Sequence, residues 1–130
     1  MTCDVKFLAV VNEALAGARF DALVLGKFQG SLQLSTDQHR YRIDWSDYLS
    51  ATAEALPSQD AQAYEFAPII APMIDEELVA IRHSNGVYEL AFSSGRSAFA
   101  GKFRGERAAD NVLIVNALDD DAPFTWGLLD

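Results

Sequence analysis

The chain has 130 residues, half of them apolar, and a formal net charge of −9. That composition is too apolar for disorder, and the acidity excludes the basic footprint that nucleic acid or an anionic membrane surface requires. The one cysteine, Cys3, makes neither an internal disulfide nor a metal cluster, and no apolar run approaches the roughly 18 residues of a membrane span.

The chain is expected to fold as one α+β domain over residues 1–130, soluble and cytoplasmic. The N-terminus MTCDVKFLAVVNEALAGAR makes a poor secretory signal, because Asp4 and Lys6 precede a short apolar run that Asn12 and Glu13 interrupt. Val5–Ala18 is expected to be an amphipathic helix. Phe7, Leu8, Val11, Leu15 and Ala18 form its apolar stripe, Asn12, Glu13 and Ala16 face outward, and Thr2 or Asp4 supplies the cap. Ala22–Phe28 and Ser31–Ser35 read as short strands broken at Gln29-Gly30. His39–Trp45 alternates, with Tyr41, Ile43 and Trp45 on one face and Arg40, Arg42 and Asp44 on the other, and Leu32 and Leu34 meet the aromatic face across the hairpin.

Ser46-Asp47 carries the start signal of a second short helix near 46–56, which Pro57 would end. PSQDAQA, residues 57–63, is a polar loop. In Tyr64–Met73 the prolines Pro68 and Pro72 argue against regular structure, so the segment is expected to cross the core in extended form with Ile69 and Ile70 buried.

The strongest local signal is Asn85-Gly86, the pair that a type I′ hairpin turn favours because both central residues need φ > 0. Placing it at the tip pairs Ser84 with Val87, His83 with Tyr88, Arg82 with Glu89, Ile81 with Leu90, Ala80 with Ala91 and Val79 with Phe92. Val79, Ile81, His83, Tyr88, Leu90 and Phe92 then share a face, and an Arg82–Glu89 ion pair lies on the other. Ser94-Gly95-Arg96 makes the next turn and Ser97–Phe103 a third strand. RGERAAD, residues 104–110, is a polar connection. Asn111–Leu118 is a strand buried on both faces, Asp119–Asp121 a charged loop, and Pro123–Leu129 a last strand. The sum is a mostly antiparallel twisted sheet of about six to seven strands carrying two helices.

No catalytic constellation emerges, and no cofactor is implied. His39 and His83 lie far apart with no second His or Cys at ligand spacing. Asp119–Asp121 lacks the alternating oxygen ligands of a calcium loop. Ser93-Ser94-Gly95-Arg96 is a hairpin turn and not a nucleophile elbow. The glycines form no phosphate loop. The chain is therefore expected not to be an enzyme, and neither catalytic nor metal-ligating residues are assigned.

The informative feature is where the charge sits. From Ile43 to Ile81 there is no Lys or Arg, while the stretch holds Asp44, Asp47, Glu54, Asp60, Glu65, Asp75, Glu76 and Glu77. Arg96, Lys102, Arg104 and Arg107 cluster elsewhere, and Asp110–Asp130 is a second acidic block without a basic residue. Segregated charge produces a directional field that speeds association with a basic partner and suppresses wrong ones. Those eight acids, with Tyr48 and Tyr64 as aromatic anchors, are the candidate partner-binding residues. The competing reading is that they scatter over a solvated surface or pair with the Arg104 region.

In the Lys- and Arg-free stretch Ile43–Ile81, the tail DDDAPFTWGLLD and the lack of a catalytic constellation, the chain resembles the small acidic immunity proteins of bacterial toxin–immunity systems, including contact-dependent inhibition. The resemblance implies a protein–protein inhibitor, an antitoxin that occludes the active site of a basic toxin, often a nuclease, without turnover. On that reading, joint charge reversal at Asp47, Glu54 and Asp60 slows association without unfolding the chain. Two alternatives are an acidic secretion chaperone or adaptor, which needs an exposed apolar groove and a dimer, and a small-ligand domain, which needs a deep pocket with converging polar groups.

Overall fold

The computed structural model describes residues 5–27, 29–54, 60–103 and 108–130. Thr2 and Asp4 as caps, Cys3, the Pro57 stop, and Arg104 and Arg107 lie outside them. The fold is α+β. Helix α1 (Val5–Leu15) is followed by β1 (Arg19–Leu25), β2 (Gly30–Ser35), β3 (Arg40–Trp45) and β4 (Tyr48–Ser50). A run of short helical turns comes next, centred on α2 (Ala67–Ile70). Then come β5 (Leu78–Ser84), β6 (Val87–Phe92), β7 (Ser97–Gly101), β8 (Leu113–Ala117) and β9 (Trp126–Leu129).

The strands form two antiparallel sheets where one was expected, β1-β2-β3-β8-β9 and β4-β7-β6-β5. The chain changes sheets at Ser46-Asp47, and this is why the helix expected near 46–56 does not form among its described residues, 46–54. The polar side chains that read as a cap are taken by distant partners. Ser46 Oγ donates to Asn111 Oδ1 (2.8 Å) and Ser46 N–H to the Val112 carbonyl (3.0 Å). The Asp47 carboxylate accepts the N–H groups of Phe103 (2.9 Å) and Ala109 (3.1 Å). Tyr48–Ser50 then pairs with β7. A strand that bends between two packed sheets builds a corner, and here two side chains pin it.

The second helical region falls instead at Ala63–Met73, which the sequence reading made extended. Its prolines are compatible with helix because each starts a turn afresh. Pro68 sits in the first turn of α2 and Pro72 in the first turn of the 3₁₀ segment Ala71–Met73, where the missing N–H has no intrahelical partner to lose. Ile70 is buried as expected and Ile69 packs against the core.

The hairpin forms in the expected register from Ser84↔Val87 to Ala80↔Ala91, with Asn85 at φ 52° and Gly86 at φ 77°. The Arg82–Glu89 pair closes at 3.4 Å. Beyond Ala80 the register shifts, so Leu78 pairs with Phe92 and Val79 is 53 % exposed instead of lying on the core face. A bulge of this kind trades one side chain for another on the inner face. Leu32↔Ile43 and Leu34↔Tyr41 pair as read. β8 is buried on one face only, through Leu113 and Val115, with Ile114 and Asn116 half-buried on the other.

One core joins the sheets and α1, whose Val11 and Leu15 are buried in it. Phe20 on β1 meets Phe92 on β6 across the interior, with ring centroids 5.8 Å apart. Asn12 does not face outward. Its amide donates to the Ile81 carbonyl (2.9 Å) and accepts the Ile81 N–H (2.7 Å), standing in for a neighbouring strand on β5. Residues 17–20 extend the same service, through Gly17 N–H to Leu78 O, Leu78 N–H to Ala18 O and Phe20 N–H to Glu76 O. The Leu78–Ile81 part of β5, one of the two outer strands of the smaller sheet, is thus bonded on its outer side, as buried backbone polar groups require.

Candidate partner-binding surface

The ten candidate residues divide into those the fold consumes and those it presents. Asp44 is only 3 % exposed. It lies in the middle of the five-stranded sheet, paired with Ser31 and Ile114 in the ladder. Ser31 Oγ donates to it at 2.5 Å and Arg42 Nε lies 3.1 Å away. A carboxylate so enclosed contributes to sheet packing and cannot touch a partner. Tyr48 is buried against Phe103 (5.5 Å between centroids), with its ring over Gly101, and is core rather than anchor. Asp47 is spent on backbone N–H groups, so the proposed charge reversal there would break the corner as well as the charge. Asp47 thereby joins Phe103 to Ala109, and a pairing of the acids with Arg104 or Arg107 lies outside the described residues.

Glu76 and Glu77 brace the β6–β7 turn. Glu76 accepts the Ser94 N–H (2.9 Å), and the hydrogen bonds of Ser94 hold its carboxyl below the usual carboxylate range. Glu77 N–H donates to Ser93 Oγ (3.1 Å), while its side chain faces solvent beside the exposed Asp75. Glu54 is exposed at a small cleft of about 280 Å³ lined also by Arg82, His83, Glu89 and Phe99.

Asp60, Tyr64 and Glu65 are the exposed residues of the stretch 60–65. The Glu65 carboxylate accepts the Gln62 N–H (2.5 Å), which fixes the start of the helical segment. Tyr64 stands 55 % exposed, the only tyrosine among the described residues that is not largely buried. This is the part of the candidate surface that keeps an aromatic and acids together.

A second acidic corner was read from sequence only as a solvated loop. The β2–β3 turn at Thr36–His39 meets the loop 118–121 across a cleft of about 640 Å³, and a cleft of about 660 Å³ lies between the same turn and α1. Asp119 accepts the Arg40 N–H (2.7 Å) and its guanidinium (3.2 Å), and His39 Nδ1 lies 3.5 Å from Asp121 Oδ1. The only advance signal was the placement of His39-Arg40 and Asp119–Asp121 at ends of strands that prove adjacent. The Arg40 N–H, followed by its guanidinium and by His39, holds the Asp119 carboxyl below its ordinary value. Burial, with Asp119 and Asp121 adding to it, pushes the Tyr41 phenol up.

The Asp119 contacts are therefore present above the ordinary carboxylate pKa of about 3.9 and are lost as pH falls through the lower folded value. In an amide-detected acid titration the Arg40 resonance should move with a midpoint below about 3.9. A midpoint at or above that value would mean the Asp119 contact contributes nothing in solution.

Among the described residues no group of His, Cys, Asp and Glu is arranged to hold a metal ion, and no helix is long and apolar enough to cross a membrane. No family model matches the chain, and no curated protein matches it. Among solved structures it is similar to the N-terminal domain of the fibronectin-binding protein PavA from Streptococcus pneumoniae, with a TM-score of 0.52 at 9 % identity over 89 % of this chain. The chain spans about half of that structure (48 %), and at such low identity the likeness is one of fold alone.

Proposed function

We propose that this chain is an immunity protein that binds and neutralises a basic toxin, of which a nuclease is the kind its acidity best complements, through an acidic surface. It acts in the bacterial cytoplasm as a stoichiometric inhibitor, without cofactor or turnover, and contacts neither nucleic acid nor membrane itself. The observation that carries this reading is the segment 60–65, where exposed Tyr64 stands between Asp60 and Glu65 within a stretch, Ile43–Ile81, that has no positive charge. Exposed tyrosines are enriched among interface hot spots, and charge of one sign around them favours a partner of the other sign. Glu54, Asp75 and Glu77 add to the field, whereas Asp44, Asp47 and Tyr48 serve the fold.

The test is capture of partners by the chain from its native cells at roughly 50 mM and at several hundred millimolar salt, where exposed charge is screened. One basic protein, held more weakly at high salt and relieved of its toxic activity by this chain, is the expected result. Joint Asp60→Lys and Tyr64→Ala should slow its association about tenfold at low salt without lowering Tm by more than a few degrees. Retention of no basic protein at either salt would overturn the proposal.

A further inference from the structure

The five-stranded sheet ends on β9, and among the described residues no strand pairs with its outer side. Ala117 N–H bonds to the Thr125 carbonyl (2.8 Å) on one side of β8, and Leu118 N–H to the Arg40 carbonyl (2.9 Å) on the other. Successive residues of a strand aim their backbone groups at alternate neighbours. With Val115↔Gly127 and Leu113↔Leu129 in register, Gly127 and Leu129 point to β8, and Trp126 and Leu128 point their N–H and C=O groups away from the sheet. Among the described residues neither makes a backbone hydrogen bond to another element on that side. Their side chains share a face and are 59 % and 40 % exposed. β9 is short, at four residues, but Trp126–Leu129 holds no lysine, proline or register shift of its own. The contrast is internal to the molecule, because the outer side of β5 is bonded by residues 17–18 at Leu78 and by Asn12 at Ile81.

We infer that β9 is a strand-docking site, which takes an extended segment of a partner with alternating basic and apolar residues as a sixth strand of the sheet. The occupant follows from charge. Residues 108–130 carry Asp110, Asp119, Asp120, Asp121 and Asp130 and no Lys or Arg. Asp119 is paired with Arg40 on the β3 side of β8 and Asp130 directly follows β9, so what opposes a second copy is the −9 net charge that each chain carries. A basic segment gains from the same net field, while its apolar side chains lie beside Trp126 and Leu128. The basic character of the occupant rests on the proposed function above; the open edge does not.

The probe is a fluorescein-labelled ten-residue peptide of alternating lysine and valine, read by fluorescence anisotropy against the full chain. Three comparisons accompany it: the same peptide N-methylated at alternate valines, a glutamate–valine counterpart, and the Leu128→Pro variant. Proline at 128 deletes only an outward N–H and leaves the β8–β9 ladder its donors. The lysine–valine peptide should bind, the glutamate–valine peptide should not, and both N-methylation and Leu128→Pro should weaken binding at least about tenfold. N-methylation leaves the protein untouched, so that comparison decides even where Leu128→Pro unfolds the chain. Equal binding of the N-methylated peptide, or no binding of the unmodified one, overturns the inference. So does a concentration-dependent dimer, seen by light scattering, that Leu128→Pro disperses. If the peptide fails while a basic partner is still captured, strand docking alone falls; if the peptide binds and no basic partner is captured, the immunity reading alone falls.

Discussion

Asn12→Ala will destabilise the chain by about 2–3 kcal/mol, although alanine is the better helix former. The helix itself gains about 0.5 kcal/mol from the change. Against this stand the Ile81 N–H and C=O, which lose both partners in a half-buried setting where an unmet backbone group costs about 1–3 kcal/mol. For a chain of this size that corresponds to a fall in Tm of about 6–12 °C, and the Ile81 amide should lose its exchange protection before its neighbours on β6.

Asn12→Asp separates the donor from the acceptor. One oxygen still accepts the Ile81 N–H, but the other faces the Ile81 carbonyl without a proton. That carboxyl will titrate above a free aspartate, because its protonated form alone can donate. The folded state then binds the extra proton, so the penalty is full above the raised folded pKa and disappears below the unfolded value. The variant should therefore gain stability relative to wild type as pH falls toward about 4. A neutral Asn12→Ala, or a pH-independent Asn12→Asp, would show that the edge of β5 is held by α1 packing alone.

Asn12 also marks how far the sequence could be read. Its spacing from Leu8 and Leu15 places it within the apolar stripe of α1, and a polar residue there needs a partner; assigning it to the solvent face ignored that spacing. The β5–β6 hairpin was legible because its information is local, a two-residue turn flanked by alternating side chains. The bulge at Val79 was not, since what displaces it is the pairing of residues 75–78 with 17–20. Ser46 and Asp47 displayed a sound cap signal, but their oxygens are claimed by Asn111, Phe103 and Ala109, each more than fifty positions away. Charge segregation was plain in the chain, yet it could not tell acids that face solvent, such as Glu54, Asp60 and Glu77, from Asp44, which Ser31 and Arg42 enclose. The β9 edge was likewise invisible, because its openness depends on which strand ends the sheet.

Gly30→Ala will also be costly, for a reason that is purely steric. Gly30 faces Trp45 across the β2–β3 ladder, and a Cβ built on it would fall inside the indole ring. Its φ is not in the left-handed region, so alanine meets no backbone penalty, and in open space the change would stabilise by about 0.4–1 kcal/mol through the unfolded chain. Here the ring must move, and Trp45 is fully buried among the core residues. Overpacking of this kind costs about 1–3 kcal/mol. The check is a double-mutant cycle with Trp45→Leu, measured by urea unfolding. Trp45→Leu is destabilising on its own, but Gly30→Ala should be nearly neutral in that background, giving a coupling of about 1–3 kcal/mol. A coupling near zero would mean that Gly30 is required by something other than the indole, and the packing of β2 on β3 would need a different account.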